Sequence, residues 1–142
     1  MKKTIYLICS LALVLMICLG FASCNGNRQE EDLWSDAMYT EDTELGSGAK
    51  TIQAELKAGE KSITFTIKTD KATLGEALAE HNLVSGENSP YGLYIKSVNG
   101  IRADYDIDKA FWALTKDGQS LLTAADKTEI SDKEHYEIVY TK

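Results

Sequence analysis

Between Ser62 and Lys68 the apolar residues Ile63, Phe65 and Ile67 alternate with Ser62, Thr64, Thr66 and Lys68. That period of two predicts a strand with one buried face. A second β-rich run, Thr51–Leu56, precedes it across the turn segment Lys57–Lys61, so the two predict a hairpin. The period then changes. Leu74, Ala77, Leu78 and His81 recur at helical spacing. Thr73-Leu74-Gly75-Glu76 is a capping-box pattern, with the Thr73 hydroxyl accepting from the Glu76 amide while the Glu76 carboxylate accepts from that of Thr73. Asn82 suits a left-handed position at the helix end. Gly86–Pro90 predicts a polar turn, Tyr91–Val98 a strand, Ile101–Tyr105 its return, Ala110–Lys116 a further strand and Tyr136–Thr141 a last one. Asn99-Gly100 and Asp117-Gly118 are turn dipeptides, because a type I′ turn needs positive φ at both central residues.

Two strands, a helix, several strands and a terminal strand predict the α+β class: a β-grasp-like mixed sheet packed on one helix, with an α+β sandwich of other topology as the alternative. Ahead of this domain, Lys2-Lys3, the apolar run Ile5–Leu19 and the small residues Ala22-Ser23 before Cys24 have the layout of a secretory signal. The apolar run is shorter than the roughly 20 residues a spanning helix needs. Phe21-Ala22-Ser23-Cys24 resembles a bacterial lipobox, in which the cysteine is lipidated and becomes the first mature residue. An ordinary cleaved signal and an uncleaved anchor are the alternatives. From Asn25 to Ala49 seven acids, Glu30, Glu31, Asp32, Asp36, Glu41, Asp42 and Glu44, face the single base Arg28, and Gly46-Ser47-Gly48 ends the segment. This composition predicts a disordered acidic tether, interrupted by Leu33, Trp34, Met38 and Tyr39 at the spacing of a short amphipathic helix or docking motif. The expected division is therefore 1–23 lipoprotein signal peptide, 24–49 lipidated cysteine and acidic linker, and 50–142 folded domain.

Charge and cysteine content narrow the functions. The 142 residues carry a formal charge of −7; without the leader, which holds Lys2 and Lys3 and no acid, 13 basic residues face 22 acidic ones. Such a balance excludes nucleic-acid binding through a basic patch. Cys9, Cys18 and Cys24 all lie in the first 24 residues, which leaves the domain without a disulfide, a thiol nucleophile or a cysteine metal site. Asp104, Asp106 and Asp108 alternate as on one side of a strand. They do not make a calcium hand, since Lys109 and Thr115 stand where that loop needs Gly and Glu. With only His81 and His135, and no nucleophile-elbow serine, no enzyme, catalytic residue, metal site or resident cofactor is expected. The chemical resource is aromatic. Phe111 and Trp112 must point to opposite faces of a strand, and with Tyr91 and Tyr94 they are the candidate surface for a flat ligand.

The run TLGEAL, then YGLYIKSVNG, then FWALTKDG and finally YEIVY, in that order from Thr73 onward, resembles the bacterial domain of unknown function that is similar to the C-terminal domain of transcobalamin. The resemblance spans Lys50–Lys142 and implies a β-grasp fold, secretion or lipid anchoring, and a corrinoid as the candidate ligand. The expected function is thus a monomeric binding or accessory module, lipid-anchored through Cys24 to the extracytoplasmic side of a bacterial cell membrane. The alternative is a cell-surface protein-interaction module with no small-molecule ligand.

Overall fold

The computed structural model describes residues 33–142. The expected leader, Cys24 and the first part of the acidic segment lie outside the described residues, so the structure does not bear on the expectations placed there. The fold is mixed α+β, mostly strands with few short helices, and it is not a closed barrel. In chain order the elements are β1 (Thr43–Gly46), β2 (Lys50–Ala58), β3 (Lys61–Thr69), α1 (Leu74–Ala79), β4 (Val84–Ser89) and β5 (Gly92–Val98). They continue with β6 (Ile101–Arg102), α2 (Tyr105–Asp108), β7 (Phe111–Lys116), β8 (Gln119–Ser120), a 3₁₀ turn (Ala125–Lys127) and β9 (His135–Thr141).

Six strands form the main sheet in the order β1-β3-β2-β9-β7-β8, and β4-β5-β6 form a second. The predicted hairpin is β2–β3, in register from Lys50 opposite Thr69 to Ala58 opposite Lys61. β9 lies between β2, to which it runs parallel, and β7, to which it runs antiparallel. Alternation then sorts the residues. Ile52, Ala54, Leu56, Ile63, Phe65, Ile67, Tyr136 and Ile138 are buried in one core, which Leu74, Ala77 and Leu78 of α1 and Val84, Ile95 and Val98 of the second sheet complete. The capping box is present as expected, with both hydrogen bonds at 3.3 Å. Asn82 takes φ +55, and its successor Leu83 donates to Leu78 O at 3.0 Å, closing the helix end. Both turn dipeptides have positive φ at each residue, as type I′ requires.

Three expectations are corrected. Residues 33–49 are not an unpacked tether. Trp34 is 8% exposed and its indole N–H donates to Ala58 O at 3.0 Å. The Asn99 side chain both accepts from Tyr39 N (2.9 Å) and donates to Tyr39 O (2.8 Å), and β1 adds to β3 in parallel. A few large apolar residues spaced through acidic sequence thus outweigh its average polarity. Of the expected turn Gly86–Pro90, only Pro90 lies in a turn, with Tyr91; Gly86–Ser89 belong to β4, an edge strand with only Val84 buried, so its polar residues give no alternation to read. A Cβ at Gly86 would lie 2.0 Å from Tyr94 O, which makes the glycine a condition of this close pairing. Finally, the return strand stops at Arg102. Asp104 accepts from Asp106 N at 3.1 Å and caps α2, so the alternating aspartates do not line one side of a strand.

Candidate functional site

β7 brings the Phe-Trp pair to the border between the two sheets. Trp112 stands opposite Tyr140 of β9, and the two rings meet edge to face with centroids 5.5 Å apart. Trp112 is 7% exposed, whereas Phe111, opposite Thr141 and pointing to the other face, is 39% exposed. β8 pairs only with Thr115 and Lys116, so among the described residues no strand lies beside the outer edge of β7 from Phe111 to Leu114. There a cleft of about 350 Å³ opens between β7 (Phe111–Leu114) and β5 (Leu93, Tyr94 and Ile95), with Ser120, Leu121, Thr123 and Ala124 completing its lining.

Of the sequence-predicted ligand residues, the cleft unites Tyr94, Phe111 and Trp112. It leaves out Tyr91, which is 86% exposed beside the β4–β5 turn. Trp112 is therefore a wall of the cleft and not a free platform. Its indole N–H is buried and has no hydrogen-bond partner among the described residues, so the ring must turn for a ligand acceptor to reach it. A cation lies near the Tyr94 ring: Lys96 Nζ is 6.0 Å from its centroid, 2.8 Å from Glu87 and 3.5 Å from Asp104. The hydrogen bond to Glu87 raises the Lys96 pKa, with Asp104 adding to it, against an opposing effect of burial.

A second cluster lies on the outer face of the main sheet. Glu55 of β2 is in register with Glu137 of β9, and His135 precedes Glu137 by two residues on the same face. One ligand atom from each of the three lies within 4.8 Å of the others. Lys57 Nζ sits 3.5 Å from both carboxylates, and His135 Nε2 is 3.5 Å from Glu55. The Thr115 hydroxyl donates to Glu137 at 2.9 Å and, against the opposing effect of burial, holds its carboxyl below the ordinary range with help from Lys57 and His135. Two carboxylates and an imidazole suit a divalent cation, provided the ammonium withdraws. The sequence expectation of no metal site passed over this trio. Its signal was the pair His135 and Glu137 at strand spacing, but only the parallel pairing of β2 with β9 brings Glu55 beside them.

At the start of β9 a third group is structural. Glu134 accepts from Lys116, from the Tyr136 hydroxyl and from Ser131 N. Burial raises the Glu134 carboxyl, yet these hydrogen bonds outweigh it and leave the pKa below the usual carboxylate range. Burial first, and then Glu134, push the Tyr136 phenol well above its ordinary value.

A family profile described as Domain of unknown function (DUF4430) matches residues 71–142. No protein of curated function matches the chain. Among solved structures, the chain is similar to the 1.30 Å crystal structure of a protein from Ruminococcus gnavus ATCC 29149 named there as a "putative metal binding protein". Identity is 36%, 66% of this chain and 98% of that one are covered, and the TM-score is 0.63. It is also similar in fold to haptocorrin in complex with Cbi, at 14% identity and a TM-score of 0.56, over 69% of this chain and 26% of haptocorrin. This chain therefore corresponds to about a quarter of that protein.

Proposed function

The chain belongs to the family described as Domain of unknown function (DUF4430), and from that premise we propose that it is a lipid-anchored, extracytoplasmic binding or accessory protein. Its cleft beside Trp112 takes the edge of a small planar ligand such as a corrinoid. The observation that carries this reading is the apolar cleft itself, about 350 Å³ with an indole, a phenyl and a phenol in its lining. Binding clefts run from roughly 300 to 1,000 Å³. This one is at the small end, sized for part of a large ring system, so a partner protein would cover the rest. The parallel pairing of the first long strand with the last, with a helix on the core face, supports the β-grasp assignment. That haptocorrin shares the fold supports the corrinoid as the first ligand to try. No catalytic role is proposed, and Cys24 is the proposed site of lipidation.

Isothermal titration of the mature chain with cobinamide and cobalamin tests the reading, together with Trp fluorescence of the wild type and of Trp112→Phe. Heat, and quenching that disappears in the variant, support it. Neither signal at high micromolar ligand defeats it and leaves the protein-interaction module, which crosslinking on intact cells addresses.

A second reading rests on Glu55, His135 and Glu137: the domain binds a divalent cation on its outer face. The name given to the Ruminococcus relative supports it. Titration with Zn²⁺ or Ca²⁺ should give saturable binding that Glu55→Gln and His135→Asn each weaken; binding unchanged in both variants removes the reading.

A further inference from the structure

The chain enters the described part of the domain at a fixed place. Trp34 is locked to the end of β2 through its bond to Ala58 O and lies under Lys61 Nζ, 4.6 Å from the ring centroid. Its neighbours Leu33 and Asp36 border a depression of about 450 Å³ that Arg102, Ile107, Tyr140 and Lys142 share. The same end of the main sheet holds Ala58 of β2, Phe111 of β7 and Tyr140 of β9. Lys116, Gln119 and His135 lie at the other.

We propose that this end, with Ile107 at its tip, rests on the phospholipid surface; the proposal builds on the reading that Cys24 is lipidated. Nine residues take the chain from Cys24 to Leu33. Even fully extended they span at most about 32 Å. A domain of this size has a radius of gyration of about 13 Å and is therefore roughly 34 Å across. A path around half its girth exceeds 50 Å on the same estimate. The anchor can thus hold the Leu33 end against the bilayer and cannot bring the Gln119 end there.

The chemistry of this end suits the contact. Ile107 is 66% exposed on the short helix α2, and Tyr105 and Met38 are also exposed. Met38 joins the same corner through its amide bond to Asn99 O. Apolar and aromatic tips of this kind favour the headgroup boundary. Charge at this end is mixed. Arg102 lies 3.7 Å from Asp104 and 3.9 Å from Asp108, and Lys109 sits over the Tyr105 ring at 5.2 Å. The acidic excess of the chain as a whole opposes an anionic surface. A zwitterionic headgroup, with a phosphate for Lys142 and Lys109 and an ammonium for the aspartates, is the lipid chemistry that fits.

The test uses the full mature lipoprotein in phosphatidylethanolamine vesicles. Lipidation consumes the thiol of Cys24, and Cys9 and Cys18 belong to the leader, so Ile107→Cys, Met38→Cys and Gln119→Cys each carry one site for an environment-sensitive fluorophore. A lipid-borne quencher should quench the labels at 107 and 38 several-fold more than the label at 119. Equal quenching at the three sites, or strongest quenching at 119, overturns the orientation. Intact mass of the N-terminus and flotation with the vesicles report the anchor separately. An unacylated chain that does not float refutes the anchor and this proposal with it, whereas an acylated, floating chain with equal quenching refutes the orientation alone.

Discussion

Replacing Trp34 separates a packed segment from a tether. The residue is 8% exposed, gives its N–H to Ala58 O at 3.0 Å and stacks under Lys61. Removing a buried indole costs about 3–5 kcal/mol through lost apolar burial and the cavity left behind. Trp34→Phe keeps most of the ring but strands the carbonyl, which costs about 1–2 kcal/mol. A substitution in a tether stays within about 0.5 kcal/mol of zero. Urea unfolding of the chain from Asn25 onward, followed by far-UV circular dichroism, reads the difference as a shift in midpoint at constant slope. The expected order of stability is wild type, Trp34→Phe, Trp34→Ala, with the last melting roughly 10–20 °C lower. A chain begun at Lys50 should lose at least as much as Trp34→Ala, because β1 and the Tyr39 contact with Phe65 go as well. Both point variants within about 0.5 kcal/mol of wild type would refute the packing argument.

Four further outcomes are expected. Asn99→Asp places a carboxyl group against the Tyr39 carbonyl at a fully buried position, which raises its pKa in the fold. The variant should then lose stability as pH rises above the ordinary aspartate value of about 3.9, while Asn99→Ala shows a loss of about 2–3 kcal/mol with no such slope, measured by urea midpoints across pH. Gly100→Ala should cost at least about 1 kcal/mol in the same assay, since its φ is +84 and the new Cβ would lie 2.2 Å from Asp36 O. The lowered pKa of Glu134 contributes stability that is present above the unfolded-state value and lost as pH falls through the folded one, so Glu134→Gln should flatten the acid limb of melting temperature against pH. Lys57→Met removes the ammonium that lies 3.5 Å from Glu55 and Glu137 and should tighten Zn²⁺ binding roughly tenfold by calorimetry.

The elements that were legible in the sequence are those whose signals are local. The β2–β3 alternation, the Thr73–Glu76 box and the two type I′ dipeptides each depend on residues a few positions apart, and each is present. β4 was hidden because an edge strand with one buried residue carries no period. Residues 33–49 were hidden for a different reason: composition averaged over the segment conceals Trp34, whose partner Ala58 is 24 residues away. The same limit applies to the candidate sites. The Phe111–Trp112 alternation placed the two rings on opposite faces of a strand, and both border the cleft, but the wall opposite them comes from β5, and Tyr91 falls outside. Glu55, His135 and Glu137 meet only because two strands pair in parallel, and no short-range pattern encodes that pairing.

That pairing also governs when the domain can form. β9 ends at Thr141 of 142 residues, yet it lies between β2 and β7 and holds the two halves of the main sheet together. Gln53 must therefore wait for His135, about 80 residues later, before the first hairpin gains its second neighbour. Contacts this distant make folding slow, and the main sheet closes only once β9 is present. The early strands can pair as a hairpin before that, but without β9 they lack their central neighbour, and loss of residues 135–142 removes the sheet rather than trimming it.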